Sequence, residues 1–302
     1  MQAEILEAFE PEARELIDPS AGLEELGQDF VFTEGPVWDF RAGALVFSDI
    51  PGNAMYRYEP GAGVSEYRKP SNHSNGMTID DAGRLVVCEH QTRRVVRSTP
   101  DGDFEIVADQ FLGQPLNAPN DVVVAEDGSI IFTDPHYGLG EGFGGPAEQV
   151  LPHRGVYRVA PGSSEPELLV DDFDGPNGLA IDPSGTRLYV DDTERAHIRV
   201  FTIGADWRLT GGEVFVQISG EGEGVLDGFK LDDQGNVYTT GPGGIWLVNQ
   251  SGAVLGRVRV PEVAANLAWG EPDASTLFIT ASTRLHRLPT KVTGFAPHRH
   301  VS

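Results

Sequence analysis

The chain alternates short apolar runs with polar turns at a nearly constant spacing. Four clear examples are MTIDDAGRLVVCE (77–89), VVVAEDGSIIFTD (122–134), LAIDPSGTRLYVDD (179–192) and FKLDDQGNVYTTG (229–241). In each one, two β-prone runs flank a turn of Asp, Asn and Gly, residue types for which a positive φ costs little. The pattern therefore predicts β-hairpins.

The hairpins belong to a longer repeat. Each begins at a residue with a side-chain oxygen, which we call an anchor; the anchors are Glu34, Asn75, Asn120, Asn177, Asp227 and Asn266. The turn follows nine positions after the first anchor and eight positions after the others. A third strand follows in each unit and a fourth in most. Four antiparallel strands that recur every 40 to 57 residues or so are typical of propeller blades, so the sequence predicts an all-β, six-bladed β-propeller.

The sixth unit is short of an outer strand. The segment GLEELGQDFVF (22–32) is predicted to supply it, which would close the ring and remove an exposed sheet edge. Residues 3–17 are predicted to form a short helix outside the ring. The expected organisation is an N-terminal extension over 1–20 and one propeller domain over 21–302. A β-sandwich or two smaller β domains are the alternatives, but they give no reason for the constant turn offset.

The charge balance narrows the choice of partners. The chain has 22 Lys and Arg against 46 Asp and Glu, a net charge of -24. This disfavours binding to nucleic acid or to an anionic membrane surface. The single cysteine, Cys88, excludes an internal disulfide and a multi-cysteine zinc site. No signal peptide or long apolar stretch is seen, so a cytoplasmic protein is expected. Monomer and dimer both stay open.

The anchors predict a metal site. The innermost strand of a propeller blade lines the central channel, so all six anchors should surround one mouth. Carboxylate and amide oxygens suit Ca²⁺, which takes about 6–8 oxygen ligands. Mg²⁺ and Mn²⁺ are alternatives, and Zn²⁺ is disfavoured because no anchor is His or Cys. The competing interpretation is that Asn-Gly and Asp-Gly are turn pairs, although a turn role does not explain Glu34.

The loops after the second strands should return to the same mouth. Residues predicted at this rim are Asp49, Glu89, His90, Asp134, His136, Tyr137, Asp191 and Asp192. The two histidines could donate protons or contact a substrate, or could be ordinary packed or surface residues. The Gly-rich loop over 137–154, with one apolar residue at Phe143, is either a lid or pocket wall or a tolerated insertion.

Several motifs together resemble the gluconolactonase–regucalcin family over about residues 20–290. They are TEGPVW around Glu34, NAPND ending at Asn120 and Asp121, FTDPHYG at Asp134, GPNGLAID around Asn177 and LDGFKLD around Asp227. The segment CEHQTRR at His90 is similar to the bacterial gluconolactonase branch. The resemblance implies a six-bladed propeller with one catalytic divalent ion, usually Ca²⁺, that hydrolyses a sugar lactone such as gluconolactone.

The resemblance also assigns roles. It implies that Glu34, Asn177 and Asp227 bind the metal, that Asn120 binds metal or substrate, and that Asp227 is the base or nucleophile. The repeat and the topology, rather than the resemblance, add Asn75, His90, His136 and Tyr137 as predicted substrate contacts; because the family motifs do not include Asn75 and Asn266, these two are expected to have supporting or structural roles. One departure stands out: regucalcin-type members carry Arg where this chain has Ala118. The rival functions are hydrolysis of phosphotriesters or fluorophosphates, as in the architecturally similar squid-type diisopropylfluorophosphatase, and non-enzymatic protein binding.

Overall fold

Each predicted hairpin forms the inner half of an antiparallel sheet. The computed structural model describes residues 4–300, and in this range six such sheets radiate from a central channel. Five sheets have four strands and one has five. Within each blade, sequential strands pair with one another, as the short hairpin turns dictate. The predicted six-bladed propeller is confirmed.

The strands are numbered in chain order. The first two are β1 (Leu6–Ala8) and β2 (Glu24–Gly27). Blade one contains β3 (Thr33–Asp39), β4 (Ala44–Asp49), β5 (Ala54–Glu59) and β6 (Gly63–Arg68). Blade two contains β7 (Ser74–Ile79), β8 (Leu85–Glu89), β9 (Arg94–Ser98) and β10 (Phe104–Ala108). A small hairpin follows, formed by β11 (Gln110–Phe111) and β12 (Gln114–Pro115). Blade three contains β13 (Val122–Val124), β14 (Ile130–Asp134), β15 (Gly155–Val159) and β16 (Pro166–Val170).

The second half of the ring repeats the arrangement. Blade four contains β17 (Pro176–Ile181), β18 (Arg187–Asp192), β19 (His197–Ile203) and β20 (Leu209–Gln217). Blade five contains β21 (Phe229–Leu231), β22 (Val237–Gly241), β23 (Gly244–Val248) and β24 (Val254–Arg259). Blade six contains β25 (Ala264–Gly270), β26 (Thr276–Ala281) and β27 (Arg284–Pro289). Short 3₁₀ helices span Tyr137–Leu139 and Pro297–His300.

Strand β2 closes the ring, as the sequence predicted. It pairs antiparallel with β27 and becomes the outer strand of blade six. Ion pairs reinforce the pairing: Arg287 Nε lies 2.9 Å from Glu24 Oε2, and Arg284 Nη1 lies 2.7 Å from Glu25 Oε2. The first and last strands of the propeller therefore share one sheet, and the edge of β27 is covered.

The segment before β2 differs from its prediction. A helix was predicted over 3–17; residue 3 lies outside the described residues, and the helix α1 spans only Ala13–Leu16. Pro11 explains part of this, because proline lacks an amide donor and clashes with the preceding turn of a helix. Strand β1 pairs instead with β24 as a fifth strand of blade five. No helix among residues 4–300 has the length and hydropathy of a membrane span.

The core consists of apolar layers between neighbouring blades. In one of them Trp38 of blade one stacks on Phe278 of blade six at a ring distance of 5.0 Å. The lower end of the channel, away from the anchors, is also apolar and encloses about 80 Å³. The C-terminal segment 295–298 covers it, and His298 Nε2 donates to the Trp38 carbonyl at 2.8 Å. The C-terminal segment thus lines the lower end of the channel.

Candidate active site at the channel mouth

The anchors stand where the inner strands begin. In four blades the ladder between the first two strands shifts register at the anchor, between Glu34 and Val37, Ser74 and Met77, Pro176 and Leu179, and Ala264 and Asn266. Such bulges redirect side chains locally. Asn120 and Asp227 lie just before β13 and β21. None of the six anchors is in the turn of its hairpin, so the turn-pair interpretation is wrong.

The glycine that follows an anchor lets the next blade approach. A Cβ on Gly35 would lie 2.0 Å from the Asn75 carbonyl oxygen, and one on Gly178 would lie 2.3 Å from the Asp227 carbonyl oxygen. Gly178 N donates to that carbonyl at 2.9 Å. These backbone contacts between blades draw the anchors together, and any larger residue would push them apart.

Five anchors line one cavity of about 250 Å³ at this mouth, which we call the upper mouth. They are Glu34, Asn75, Asn120, Asn177 and Asp227. The other lining residues are Phe32, Ile50, His90, Tyr137, Phe143, Thr193 and Val225. The structure thus brings together all the predicted site residues except His136. The sixth anchor, Asn266, is buried behind Glu34.

Two carboxylates dominate the electrostatics of the cavity. Burial, and then the nearby Asp121 carboxylate, raise the pKa of Glu34 to about 7. Burial, and then the charge of Glu34, raise the pKa of Asp227 well above its usual value. Like charges held together out of water disfavour each other's ionised forms. A cation between them would remove that conflict.

The amide groups turn their N–H atoms toward protein. Asn266 Nδ2 donates to Glu34 Oε2 at 2.9 Å, and Asn177 Nδ2 donates to Thr193 Oγ1 at 3.1 Å. Asn266 Oδ1 is itself occupied, because it accepts the Leu267 amide at 2.8 Å. Asn266 therefore supports Glu34, whereas the carboxamide oxygen of Asn177 is left for the cavity.

Sequence reasoning missed a lysine beneath the anchors. Lys230 alternates with the buried Phe229 and Leu231 on β21, which places its side chain on the channel face. Its Nζ lies 3.4 Å from Asn266 Oδ1 and 3.8 Å from Asp121 Oδ2. Its charge lowers the pKa of Asp121 and opposes the effect of burial there. The sequence feature that could have indicated this lysine is a single cationic residue in a predicted inner strand.

Three of the five carboxylates predicted at the rim, Asp49, Asp134 and Asp192, bind backbone amides. Asp49 accepts the amides of Val31 and Phe32 at 3.0 Å each, and Asp192 accepts that of Gly175 at 3.0 Å. Asp134 accepts the amide of Asn117 at 2.7 Å. Each aspartate fixes the loop that leads into the inner strand of its own blade. They shape the upper mouth without lining its cavity.

His90 is buried and connects the long loop to an anchor. Its Nδ1 lies 2.7 Å from the Phe143 carbonyl, and its Nε2 lies 3.2 Å from Asn75 Nδ2. Burial lowers the pKa of His90 to about 4, so the ring is neutral at physiological pH. The loop over 137–154 contributes Tyr137 and Phe143 to the cavity wall. Phe143 also packs edge-on against Phe32 at 5.7 Å.

The same loop lies close to Ala118. A Cβ on Gly138 would lie 2.7 Å from Ala118 Cβ and 2.5 Å from His90 Cγ. The loop therefore occupies the space next to Ala118, where regucalcin-type sequences carry arginine. His136 lies outside the cavity lining, with its Nε2 4.0 Å from Glu194 Oε1 on the partly exposed rim.

The donor set at the mouth is made of oxygen atoms. Within residues 4–300 no group of three or more His, Cys, Asp or Glu side chains has a metal-binding arrangement. The predicted set is of another kind, since it pairs two carboxylates with the carboxamides of Asn120 and Asn177. Oxygen-only donors with two negative charges fit a hard cation of the Ca²⁺ type.

Comparisons with known proteins agree with this architecture. A gluconolactonase of Zymomonas mobilis subsp. mobilis is 32% identical over 309 residues, covering 95% of this chain and 86% of that protein. A pentonolactonase of Haloferax volcanii is 26% identical over 254 residues, covering 82% of this chain and 81% of that protein. The solved structure of a Xanthomonas campestris gluconolactonase has a TM-score of 0.89 and 31% identity, with 96% of both chains covered.

A sequence profile described as the SMP-30/Gluconolactonase/LRE-like region matches residues 32–283. The match includes the four consecutive strands of each of blades one to five and the two inner strands of blade six, together with all six anchors. The chain therefore belongs to the SMP-30/gluconolactonase/LRE-like family.

Proposed function

We propose that this chain hydrolyses a sugar lactone, such as gluconolactone, to the open-chain hydroxy acid, and that it does so with one divalent cation at the upper mouth. The observation that carries the proposal is the pair of buried carboxylates, Glu34 and Asp227, beside amide oxygens on a cavity of about 250 Å³. The gluconolactonase and pentonolactonase relatives support the substrate class.

Glu34, Asn120, Asn177 and Asp227 are the residues that would hold the cation. Ca²⁺ suits this set best, with Mg²⁺, Mn²⁺ or, less favourably, Zn²⁺ as alternatives. A bound divalent cation polarises a carbonyl oxygen and stabilises the negative charge that develops on it, an effect of several kcal/mol. Asn266 and Lys230 lie behind Glu34 and hold this side of the ring in place.

Asp227 is the general base of this proposal. Its carboxylate accepts a proton from the attacking water as the water oxygen bonds to the lactone carbonyl carbon. The bond from that carbon to the ring oxygen then breaks, and the proton passes to the released oxygen. His90 is not the general base, because both of its ring nitrogens are hydrogen-bonded, one to the Phe143 carbonyl and the other to Asn75. His136 lies outside the cavity lining.

The test is a paired assay on purified protein after metal analysis. Gluconolactone should be hydrolysed, the activity should disappear with a chelator, and added Ca²⁺ should restore it. An organophosphate triester measured in parallel should react far more slowly. A faster reaction with the triester would favour the phosphotriesterase alternative, and activity that survives complete metal removal would contradict the role of the cation.

A further inference from the structure

His90 holds one anchor in a fixed orientation. The ring follows β8, is 2% exposed and is enclosed by the long loop. A Cβ on Gly144 would lie 2.9 Å from His90 Cβ, and one on Gly138 would lie 2.5 Å from His90 Cγ. Both glycines are therefore needed for the loop to close over the ring. The contacts of its two nitrogens with the Phe143 carbonyl and Asn75 Nδ2 then fix the orientation of the imidazole.

The hydrogen bonds of His90 set the direction of the Asn75 amide. A backbone carbonyl can only accept, so the Nδ1 atom that faces the Phe143 carbonyl carries the proton. The neutral ring then has a lone pair on Nε2, which accepts from Asn75 Nδ2. As a result the Asn75 carboxamide has its nitrogen toward His90 and its oxygen away from it.

Several buried polar atoms among residues 4–300 have no hydrogen-bond partner, and the Asn75 oxygen is the one that belongs to a residue lining the cavity. Asn75 is 4% exposed and lines the cavity, and its Oδ1 has no hydrogen-bond partner in the described part of the chain. A buried acceptor without a partner is costly, on the order of 1–3 kcal/mol, unless a ligand supplies a donor. Asn266 differs, because its Oδ1 accepts the Leu267 amide at 2.8 Å and lies 3.4 Å from Lys230 Nζ.

We infer that Asn75 Oδ1 accepts a hydrogen bond from a hydroxyl group of the substrate, and that His90 is the positioning residue that points it there. The inference rests on the proposed function, since the carbonyl and ring oxygens of a lactone are acceptors and only its hydroxyl groups can donate. The site therefore selects hydroxylated lactones over the bare ring. A site built to bind a hydroxyl group discriminates strongly against the analogue that lacks it.

The experiment compares glucono-δ-lactone with δ-valerolactone, which has the same ring without hydroxyl groups. Asn75→Ala should lower kcat/KM for gluconolactone by about 10- to 100-fold, the range for an unpaired buried group. Its loss on valerolactone should be at least tenfold smaller. His90→Phe should reproduce this split. His90→Gln should restore kcat/KM to within about threefold of wild type, since a Gln side chain can both accept and donate.

The outcomes separate cleanly. Equal losses on both lactones, or a fall in bound metal in Asn75→Ala, would overturn the inference and make Asn75 a structural residue or a metal ligand. A His90→Phe protein with wild-type selectivity would remove the positioning role. A wild-type protein that hydrolyses neither lactone would overturn the proposed function and this inference with it. Melting curves of all variants check that each is folded.

Discussion

The two ends of the channel are built from the same six inner strands, yet they differ chemically. At the upper mouth the strands begin with Glu, Asn or Asp, and buried carboxylates repel one another. At the lower end the same strands present residues such as Val37, Met77 and Leu179, and the C-terminal segment covers them. The residues at the start of each inner strand form the candidate active site, whereas the rest of the strand packs into the apolar core and stabilises the fold.

This contrast reflects where polar groups are left unsatisfied. At the lower end Trp269 Nε1 donates to the Leu231 carbonyl at 2.7 Å, and His298 is bonded to Trp38. At the upper mouth Asn75 Oδ1 has no partner in the described part of the chain, and Glu34 and Asp227 hold their charges at a cost. Groups that destabilise the unliganded fold are typical of functional sites.

The largest expected effect comes from Asp227→Asn. The loss of the proposed base should lower kcat for gluconolactone by about 10²- to 10⁴-fold. The fold should persist, because the change removes a buried charge from the mouth. Steady-state kinetics and a thermal melt test this, with the exposed Asp103→Asn as the matched control. Near-wild-type turnover in Asp227→Asn would contradict its role.

Glu34→Gln should separate stability from function. Burial raises the pKa of Glu34 from 4.5 to about 7 in the fold, so the unfolded chain releases this proton first as the pH rises. The wild type therefore loses stability relative to the variant between about pH 4.5 and 7. Without metal, the wild type and the variant should have the same Tm near pH 4.5. At pH 8 the variant should have the higher Tm, by roughly 2–4 °C for each kcal/mol of difference in the free energy of unfolding.

Added Ca²⁺ provides the second half of that experiment. It should raise the Tm of the wild type at pH 8 and have little effect on Glu34→Gln, because a ligand stabilises only a fold that binds it. The rise should shrink as the pH falls toward 5, where the Glu34 carboxylate becomes protonated. An equal Ca²⁺ response in both proteins would argue against Glu34 as a ligand.

Gly294→Ala tests the packing of the C-terminal segment at the lower end of the channel. A Cβ there would lie 1.9 Å from Trp269 Cγ, so the C-terminal segment must shift. We expect a loss of about 1–3 kcal/mol in the free energy of unfolding, typical of overpacking, with kcat/KM unchanged. Gly22→Ala is the matched control, since nothing lies within 4 Å of its added Cβ. A large fall in kcat/KM would show that the two ends are coupled.

The smallest effect is expected for His136→Ala. Its Nε2 lies 4.0 Å from Glu194 Oε1 on the partly exposed rim, and such contacts contribute at most about 1 kcal/mol. The change in kcat/KM should therefore stay within about fivefold. A larger loss would bring His136 into the substrate site, as the sequence first suggested.

Spacing in the sequence was enough to predict the ring. The fixed offset between anchor and turn reports hairpin length, which is a local property, and it located the blades and the closing strand β2. The anchors could be assigned to one mouth because topology alone places them there. Ala118 also stood out before the structure showed Gly138 against it.

The parts that were missed depend on contacts distant in sequence. The stretch around Leu6 pairs with β24 some 250 positions away, and no local pattern distinguishes that strand from a helix. Lys230 looked like an ordinary strand residue until the channel brought it near Asn266 and Asp121. The orientation of Asn75 follows from a ring nitrogen and a loop carbonyl, neither of which has a sequence signature.

The closing strand β2 has a consequence for the order in which the chain folds. Glu25 is synthesised early, but its partner Arg284 follows 259 positions later, so blade six stays incomplete until the end. The hydrogen bond from Asn266 to Glu34 also joins the last blade to the first, across 232 positions. Pairing over such distances is slow, because a long loop must close before the contact is gained. Catalytic competence is therefore among the last properties that a newly made chain acquires.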